Sequence, residues 1–576
     1  MVGLVVWVVL AVDLLTLAPT VGLIDSGELA AGCYLLNILH PTGYPLYTLL
    51  GRVTTLVPIG QVVNRVAVLS ALLAAAGIGL FVLLGLRLGF TPIAVASSAL
   101  VLAFSVPVWS VAVDVEVYSL TLVLAVLVLL AALEAVGPVR HVGHLALLGY
   151  LAGLALTNHM SAVSIVLGAG IMVLLSRKRQ FFREKLIALP WFILGLTPYL
   201  FLVLRGRAGP LWAWGNPVNL ERFWWHVTGR QYQVWMFSLP MAEVTKNAGR
   251  GLSIIARSFG FILLGAVLLG VYRLLKTRRS LGIGLLVAVL GGFLWTINYS
   301  IPDIEAYYIP CVLGLAVFCA AGLDSLRGRL RPLGHLGWVT GVVMLVWNFN
   351  TLGRQTDYVA YDQALNTLAS ADEGAIIITD WWDLYAPVFY LQKVEGVRPD
   401  VCIIDKELVR RSWYLHYLGK AYPWLLERSA PELKRYSGYL DQFEHNRLKD
   451  PAGIQESFIA LLRSFIERNP ERPAFTTMGP ESGRDAQELF AGFRLVPVGI
   501  LLQVRRDTII PEFDYTKLRV RIPRLRLDQR TRVNLERYGR FCQLRAELLS
   551  KQGRVQEAQA VIDWYWRTLG SVSHRR

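Results

Sequence analysis

The first 350 residues are a succession of apolar runs, at about residues 4–23, 62–86, 92–112, 118–136, 144–158, 160–176, 186–204, 252–273, 281–299, 307–323 and 335–350. A bilayer core about 30 Å thick takes about 20 apolar residues as a helix. In lipid every backbone N–H and C=O must pair within the segment, so repeated runs of this length specify a bundle of helices. About 11 spans are expected, with 144–176 the least regular. It reads as two short helices broken near Asn158-His159, or as one tilted helix. Met1-Val-Gly-Leu has no charged start and no small-residue cleavage site follows, so the first run is expected to be a retained helix and not a cleaved signal.

After residue 350 the pattern stops. Residues 1–350 carry 23 Lys/Arg and 12 Asp/Glu, whereas residues 351–576 carry 34 and 29. The chain as a whole is 17% charged, against about 25% for soluble proteins. The deficit lies in the first part; the second has the charge density of a soluble domain. A pI of 9.7 does not mark a nucleic-acid binder, because the cations sit in short loops between apolar runs.

Those loops give an orientation. One set holds Arg87; Arg140; Arg177, Lys178, Arg179, Arg183 and Lys185; Arg273, Lys276, Arg278 and Arg279; and Arg327, Arg329 and Arg331. The alternate set holds Asp25 and Glu28, Asp114 and Glu116, and Asp303 and Glu305. Cations mark the cytoplasmic side. The N-terminus is then cytoplasmic. The three acidic pairs, the first loop 24–61, the large loop 205–251 and everything after residue 350 face outward.

Residues 351–520 read as an α/β domain. Ala375-Ile-Ile-Ile-Thr379 and Val401-Cys-Ile-Ile404 are short β-branched runs expected to be buried strands, flanking a helix from Leu384 to Gln392. Ala474-Phe-Thr-Thr and Leu495 to Val504 are further strand candidates. Residues 528–570 have helical periodicity with a break at Gln552-Gly553, which predicts one helical hairpin as the C-terminal part, 521–576. The five cysteines (33, 311, 319, 402 and 542) have no metal-ligand spacing, and their odd number does not describe a disulfide framework.

Chemistry is concentrated at the outer lip. Asp25 and Glu28 are three apart and share a face if the segment is helical. Acids at helix starts also complement the helix dipole, which fits Glu116 and Glu305 better than Asp25, since Asp25 follows a span. A carboxylate here serves as a general base towards an acceptor hydroxyl, or several hold a divalent cation against a phosphate. His40 and His159 are the histidines nearest the outer surface; each alone is more often a hydrogen-bonded structural residue. Arg65, Arg205, Arg207, Arg222 and Arg230 either snorkel or grip phosphate oxygens with the guanidinium fork, Arg65 and Arg230 being the first candidates. Trp212, Trp214, Trp224, Trp225, Tyr232 and Trp235 in the large loop suit interfacial anchoring, and one or two suit a sugar face. Asp380, Asp383 and Asp400 sit at strand ends, where α/β sheets place ligands, although turn and cap roles are the commoner use.

Several of these segments resemble one family. They are Asp25-Ser-Gly-Glu28…His40-Pro-Thr-Gly-Tyr44-Pro-Leu-Tyr47, Arg65, Trp109…Glu116-Val-Tyr118, Asn158-His159, Trp214-Gly-Asn-Pro217, Trp225-His-Val-Thr-Gly-Arg230-Gln231-Tyr232, Ile301-Pro-Asp303-Ile-Glu305 and Asp380-Trp-Trp-Asp383. The pattern is similar to multi-spanning proteins whose animal members are endoplasmic-reticulum O-mannosyltransferases of plexin-type receptors, within the GT-C glycosyltransferases.

The resemblance implies a GT-C-like transmembrane domain over residues 1–350 and a sugar donor on polyprenyl phosphate. It also implies an acid in the first outer loop near the reacting centre, which Asp25 matches with Glu28 beside it. Arg65 and Arg230 are then the donor-phosphate ligands. The pocket is expected from His40, Tyr44, Tyr47, Asp114, Glu116, Tyr118, Asn158, His159, Trp214, Gln231, Tyr232, Asp303 and Glu305.

The expected function is inverting transfer of a hexose, mannose first, to an outer acceptor, protein O-linked before glycan, in a bacterial plasma membrane. A divalent cation is the alternative use of the acids. The rival classes are a transporter or lipid-linked sugar flippase, and a non-catalytic scaffold presenting the outer domain.

Overall fold

Helices dominate the computed structural model, which describes residues 1–137, 142–176, 186–301, 303–329, 335–524, 527–570 and 572. Of the orienting cations, Arg140, Arg177, Lys178, Arg179, Arg183, Lys185 and Arg331 lie outside the described residues, as do the side chains of Arg327 and Arg329. Contacts sort the chain into two units. The first is Met1–Ala18, Ile38–Ala208 and Pro217–Gln355; the second is Pro19–Asn37, Gly209–Asn216 and Thr356–Arg576.

The first unit is a multi-pass helical domain. Five helices are long and apolar enough to cross a membrane: Val62–Arg87, Tyr118–Val136, Ala188–Arg207, Arg279–Ile297 and Ile304–Leu326. A sixth is gained if Pro92–Ala103 and Val106–Ala112, bent by 65°, count as one span. Pro107 has no N–H for the helical ladder, and Ser105 ahead of it is extended. The other apolar helices, Val2–Leu15, Val142–Asn158, Met160–Leu174 and Leu336–Leu352, have 10–17 residues. The run 252–273 is interrupted at Phe261, whose φ is +59°, between helices Met241–Ser258 and Leu264–Thr277. Length and composition thus give five or six spans among the described residues, against about 11 apolar runs. The runs are present, but breaks shorten their helices: 14 residues rise about 21 Å, less than the apolar core of a bilayer.

The second unit contains a five-stranded sheet, β1 (Ile376–Thr379), β2 (Cys402–Asp405), β3 (Ala474–Thr476), β4 (Arg494–Val498) and β5 (Leu501–Arg505), in the order β2-β1-β3-β5-β4. β1 is parallel to β2 and β3, while β5 is antiparallel to β3 and β4. Ile376, Ile377 and Ile378 are fully buried, as expected of a β-branched run in the parallel part of a sheet covered on both faces. Helix Trp382–Lys393 connects β1 to β2, close to the expected span. The run Leu495–Val504 is a hairpin and not one strand; it turns at Gly499 (φ +57°).

The C-terminal hairpin, Gln529–Lys551 and Val555–Leu569, begins where the Asp528 carboxylate accepts from the Thr531 N–H at 2.7 Å, a side-chain cap. Leu535, Tyr538, Cys542 and Leu549 are spaced on one helical face. They are buried in the same core as Val496 and Leu502 of the sheet. Asn366 Nδ2 donates to the Tyr538 hydroxyl at 2.8 Å, and Arg521 pairs with the buried Asp362. The hairpin and the sheet therefore share one apolar core. All five cysteines are free and buried.

Candidate active site

Asp25 stands at the N-cap of helix Ser26–Leu35, yet its carboxylate makes no capping hydrogen bond to that helix. Its Oδ1 instead accepts from the indole N–H of Trp382 at 2.8 Å. Residues Ser26–Cys33, including Glu28, are all buried. The reason is close backbone packing: a Cβ on Gly27 would overlap the carbonyl oxygen of Ala386 in helix Trp382–Lys393. That helix belongs to the same unit, so Asp25 and Glu28 are packed with the α/β sheet's own segments.

Aromatic rings surround the Trp382 contact. Trp382 meets the edge of Trp214 at 5.7 Å and stacks on Tyr385 at 5.8 Å. Trp214 stacks on Trp413 at 4.6 Å. Trp212 lies against Phe389 and Tyr417. Trp212 and Trp214, read as loop aromatics, are buried and belong to the second unit. Trp224 and Trp235 remain exposed on the first. The Tyr414 hydroxyl accepts from the Asp405 N–H and donates to Tyr385, both at 3.0 Å. Burial pushes the Asp405 carboxyl up to about 7, against the opposing pull of the Leu408 N–H, with the charges of Glu407 and Asp380 adding to the rise.

Asp383 and Asp400 are anchors. Asp383 accepts from Arg530 at 2.9 Å and Asn534 at 3.1 Å. Asp400 is held down to about 2, first by the Arg398 guanidinium and further by the Gly374 N–H.

In the first unit the loop His40-Pro-Thr-Gly-Tyr turns tightly. Gly43 has φ +90°, and a Cβ there would lie 2.8 Å from His226 Nε2 and Leu202. Tyr44 caps helix Pro45–Thr55 and its hydroxyl donates to the Pro41 carbonyl at 3.1 Å. Tyr44 contacts His40 (ring centres 5.0 Å) and His159 (5.9 Å). His159 also meets Tyr118 at 4.6 Å and Tyr307 at 5.0 Å. Asn158 donates to the Val117 carbonyl at 3.0 Å and to Thr121 at 2.9 Å, fixing the turn before His159. His40, Tyr44, Tyr118, Asn158 and His159 are thus brought into one cluster. Tyr307 and His226 join it without having been singled out in the sequence, although both lie within or beside the segments quoted there. Burial, with His40 nearby, pushes His226 down to about 3, so it is neutral.

The remaining candidates divide. Tyr47 is wholly buried. Asp114 Oδ1 accepts from the next N–H, of Val115, at 2.7 Å. The Glu116 backbone exchanges hydrogen bonds with Ser70. Asp303 precedes the turn Ile304–Tyr308 that carries Tyr307. Glu305 pairs with Arg250 at 2.5 Å.

Arg65 spends its guanidinium on three backbone carbonyls: Thr55 at 2.8 Å, Ile59 at 3.0 Å and Gly60 at 2.8 Å. The Arg230 guanidinium carbon is 4.0 Å from the centre of the Trp225 ring, and that of Arg222 is 4.9 Å from it. Gln231 and Tyr232 continue the turn Arg230–Trp235.

Comparisons with known proteins now bear on this geometry. The protein O-mannosyl-transferase TMEM260 N-terminal domain matches residues 25–182, so the matched segment begins at Asp25. TMEM260-associated domain 2 matches residues 360–422, which include Trp382 and Trp413. The protein O-mannosyl-transferase TMEM260 of Mus musculus is 27% identical over 513 residues, 82% of this chain and 70% of the relative. The Dictyostelium discoideum protein of the same name is 22% identical, covering 69% of this chain and 56% of the relative. Among solved structures, ArnT from Cupriavidus metallidurans in the apo state superposes with a TM-score of 0.55 at 14% identity, covering 90% of this chain and 99% of ArnT. Its undecaprenyl phosphate-bound form gives 0.53, covering 87% and 97%. Two segments of the chain thus match TMEM260 O-mannosyl-transferase domains and its fold is that of ArnT; the chain is a multi-pass membrane glycosyltransferase.

Proposed function

We propose that the protein transfers a hexose, mannose first, from a polyprenyl-phosphate carrier to a hydroxyl of an acceptor outside the membrane, with inversion at the anomeric carbon. The relatives' name supports mannose and a protein acceptor, and ArnT bound to undecaprenyl phosphate supports the class of donor. The observation that carries the reading is the Asp25 carboxylate, which does not cap its own helix and is held by an indole N–H. A carboxylate at a helix start is ordinarily used as a cap.

In the proposed step the acceptor oxygen attacks C1 opposite the phosphate. The C1–O(phosphate) bond breaks, and its electron pair leaves with the polyprenyl phosphate. Asp25 takes the hydroxyl proton as the new C–O bond forms, acting as general base. One displacement inverts the centre, and no covalent sugar–enzyme species is required. Arg230 is the candidate phosphate ligand in this reading, because Arg65 already serves three carbonyls and a guanidinium fork matches phosphate oxygens. Glu28 is the acid beside Asp25. In the first unit, His40, Tyr44, Tyr118 and His159 are the candidate substrate-binding rings, with Asp114, Glu116, Asn158, Asp303, Glu305, Gln231 and Tyr232 as further candidates.

The test is transfer from radiolabelled polyprenyl-phosphate-mannose by purified protein in lipid. Asp25→Asn should lower product formation by about a thousandfold or more while thermal unfolding stays near wild type. Wild-type turnover by the Asn variant would refute the role of Asp25. No donor consumption by either protein would refute mannose, and glucose and arabinose carriers would then be tried.

A further inference from the structure

The helix Trp382–Lys393 is fitted to Gly27 backbone to backbone, which fixes where its first residue stands relative to Asp25. Trp382 is in turn fixed by two rings, the edge of Trp214 at 5.7 Å and the face of Tyr385 at 5.8 Å with planes 20° apart. Its N–H therefore has one direction, towards Asp25 Oδ1 at 2.8 Å. An indole N–H only donates and does not titrate in the working range. It favours the ionised carboxylate and never competes for the proton that the carboxylate is to receive. A lysine or arginine in its place would add a full charge and weaken the base; a hydroxyl could rotate and accept.

We propose that Trp382 is a positioning residue that keeps Asp25 ionised and aimed for proton abstraction. The inference rests on Asp25 being the base. Residue 382 is 357 positions along the chain from Asp25, so one hydrogen bond joins the first outer segment's acid to the α/β part of the same unit.

The test is the pH profile of kcat at saturating donor for Trp382→Phe, which keeps a ring and removes the N–H. The acid limb should move up by roughly one pH unit and kcat should fall about tenfold, the worth of one hydrogen bond to a charged group, with the donor KM unchanged. Tyr385→Phe keeps the ring that Trp382 stacks on and removes only the hydroxyl that accepts from Tyr414, so it should leave the limb in place. An unmoved limb in Trp382→Phe, or an equal shift in Tyr385→Phe, would overturn the proposal.

If Trp382→Phe does not fold, indole ¹⁵N–H spectra of the otherwise native protein decide. One indole resonance should titrate with the acid limb and stop titrating in Asp25→Asn; no such resonance would overturn the proposal. An active Asp25→Asn would sink the general-base reading itself, whereas an inactive one with an unmoved limb in Trp382→Phe would sink only the role of Trp382.

Discussion

Two aromatic clusters carry the candidate residues, and they use their rings differently. In the first unit His40, Tyr44, Tyr118, His159 and Tyr307 mix imidazoles with phenols. In the second, Trp214, Trp382, Tyr385 and Trp413 pack ring against ring, and Trp382 among them donates to one carboxylate. Ring count does not separate the two. The partners of the polar atoms do: an indole N–H meets Asp25, whereas the Tyr44 hydroxyl donates to the Pro41 carbonyl and His159 Nδ1 faces the Ser161 hydroxyl. The first cluster packs imidazoles against phenols beside a His226 that burial keeps neutral, and the second holds a carboxylate by an indole N–H.

The largest expected loss of activity and stability together tests how rigid each region is. Gly27→Ala pushes a Cβ into the Ala386 carbonyl, backbone against backbone. Overpacking of this kind costs about 3 kcal/mol, and Asp25 moves with it. Gly43→Ala meets mainly side-chain ends, His226 and Leu202, and pays about 1–2 kcal/mol for its positive φ. Thermal unfolding and transfer assays on both variants should rank Gly27→Ala as the more damaging. The reverse order would mean that the tight loop in the first unit is the stiffer element.

A second effect is the sign of the response to pH. Unfolded, Asp405 loses its proton near 3.8; folded, it keeps it to about 7. Between these values the folded state binds more protons, so stability falls as pH rises through the window, by at most about 4 kcal/mol. His226 is the opposite case. Its unfolded ring takes a proton near 6.5 and its folded ring near 3, so stability is lost as pH falls below 6.5. Asp405→Asn should flatten the first slope and His226→Phe the second, as read from denaturation midpoints between pH 4 and 8. Slopes of the same sign would break the contrast.

The smallest effect separates the two arginines. Arg230→Gln should raise the donor KM about tenfold and leave unfolding unchanged, as for loss of one charged hydrogen bond. Arg65→Gln should leave the donor KM alone and lower stability by about 1–3 kcal/mol, because it strands carbonyls at the end of helix Pro45–Thr55. An exchange of these phenotypes would return Arg65 to the phosphate.

Much of this was legible in the sequence. The strands at 376–379 and 402–405, within a residue of the runs 375–379 and 401–404, and the hairpin break at Gly553 follow from local pattern. His40, Tyr44, Tyr118 and His159 were singled out separately, and they meet in space. The assignment of residues 19–37 and 209–216 to the α/β unit was not legible, because it rests on contacts such as Gly27 with Ala386 that no periodicity encodes. The bonding of Arg65 was within reach. Its three carbonyl partners lie within ten residues of it, and a helix end such as Leu56 leaves carbonyls that need donors. The hairpin at 494–505 was hidden inside one apolar run, with Gly499 as its local sign.

The five buried thiols have a practical consequence. Burial pushes the thiols of Cys33 and Cys402 up, and Cys542 up to about 12, so at neutral pH these thiolates are scarce and shielded. Maleimides added to the folded protein should find little to react with. A single cysteine placed at an exposed position, such as Leu220 at 83% exposure, would then report by its labelling alone which side of the membrane its loop occupies, with every native cysteine left in place.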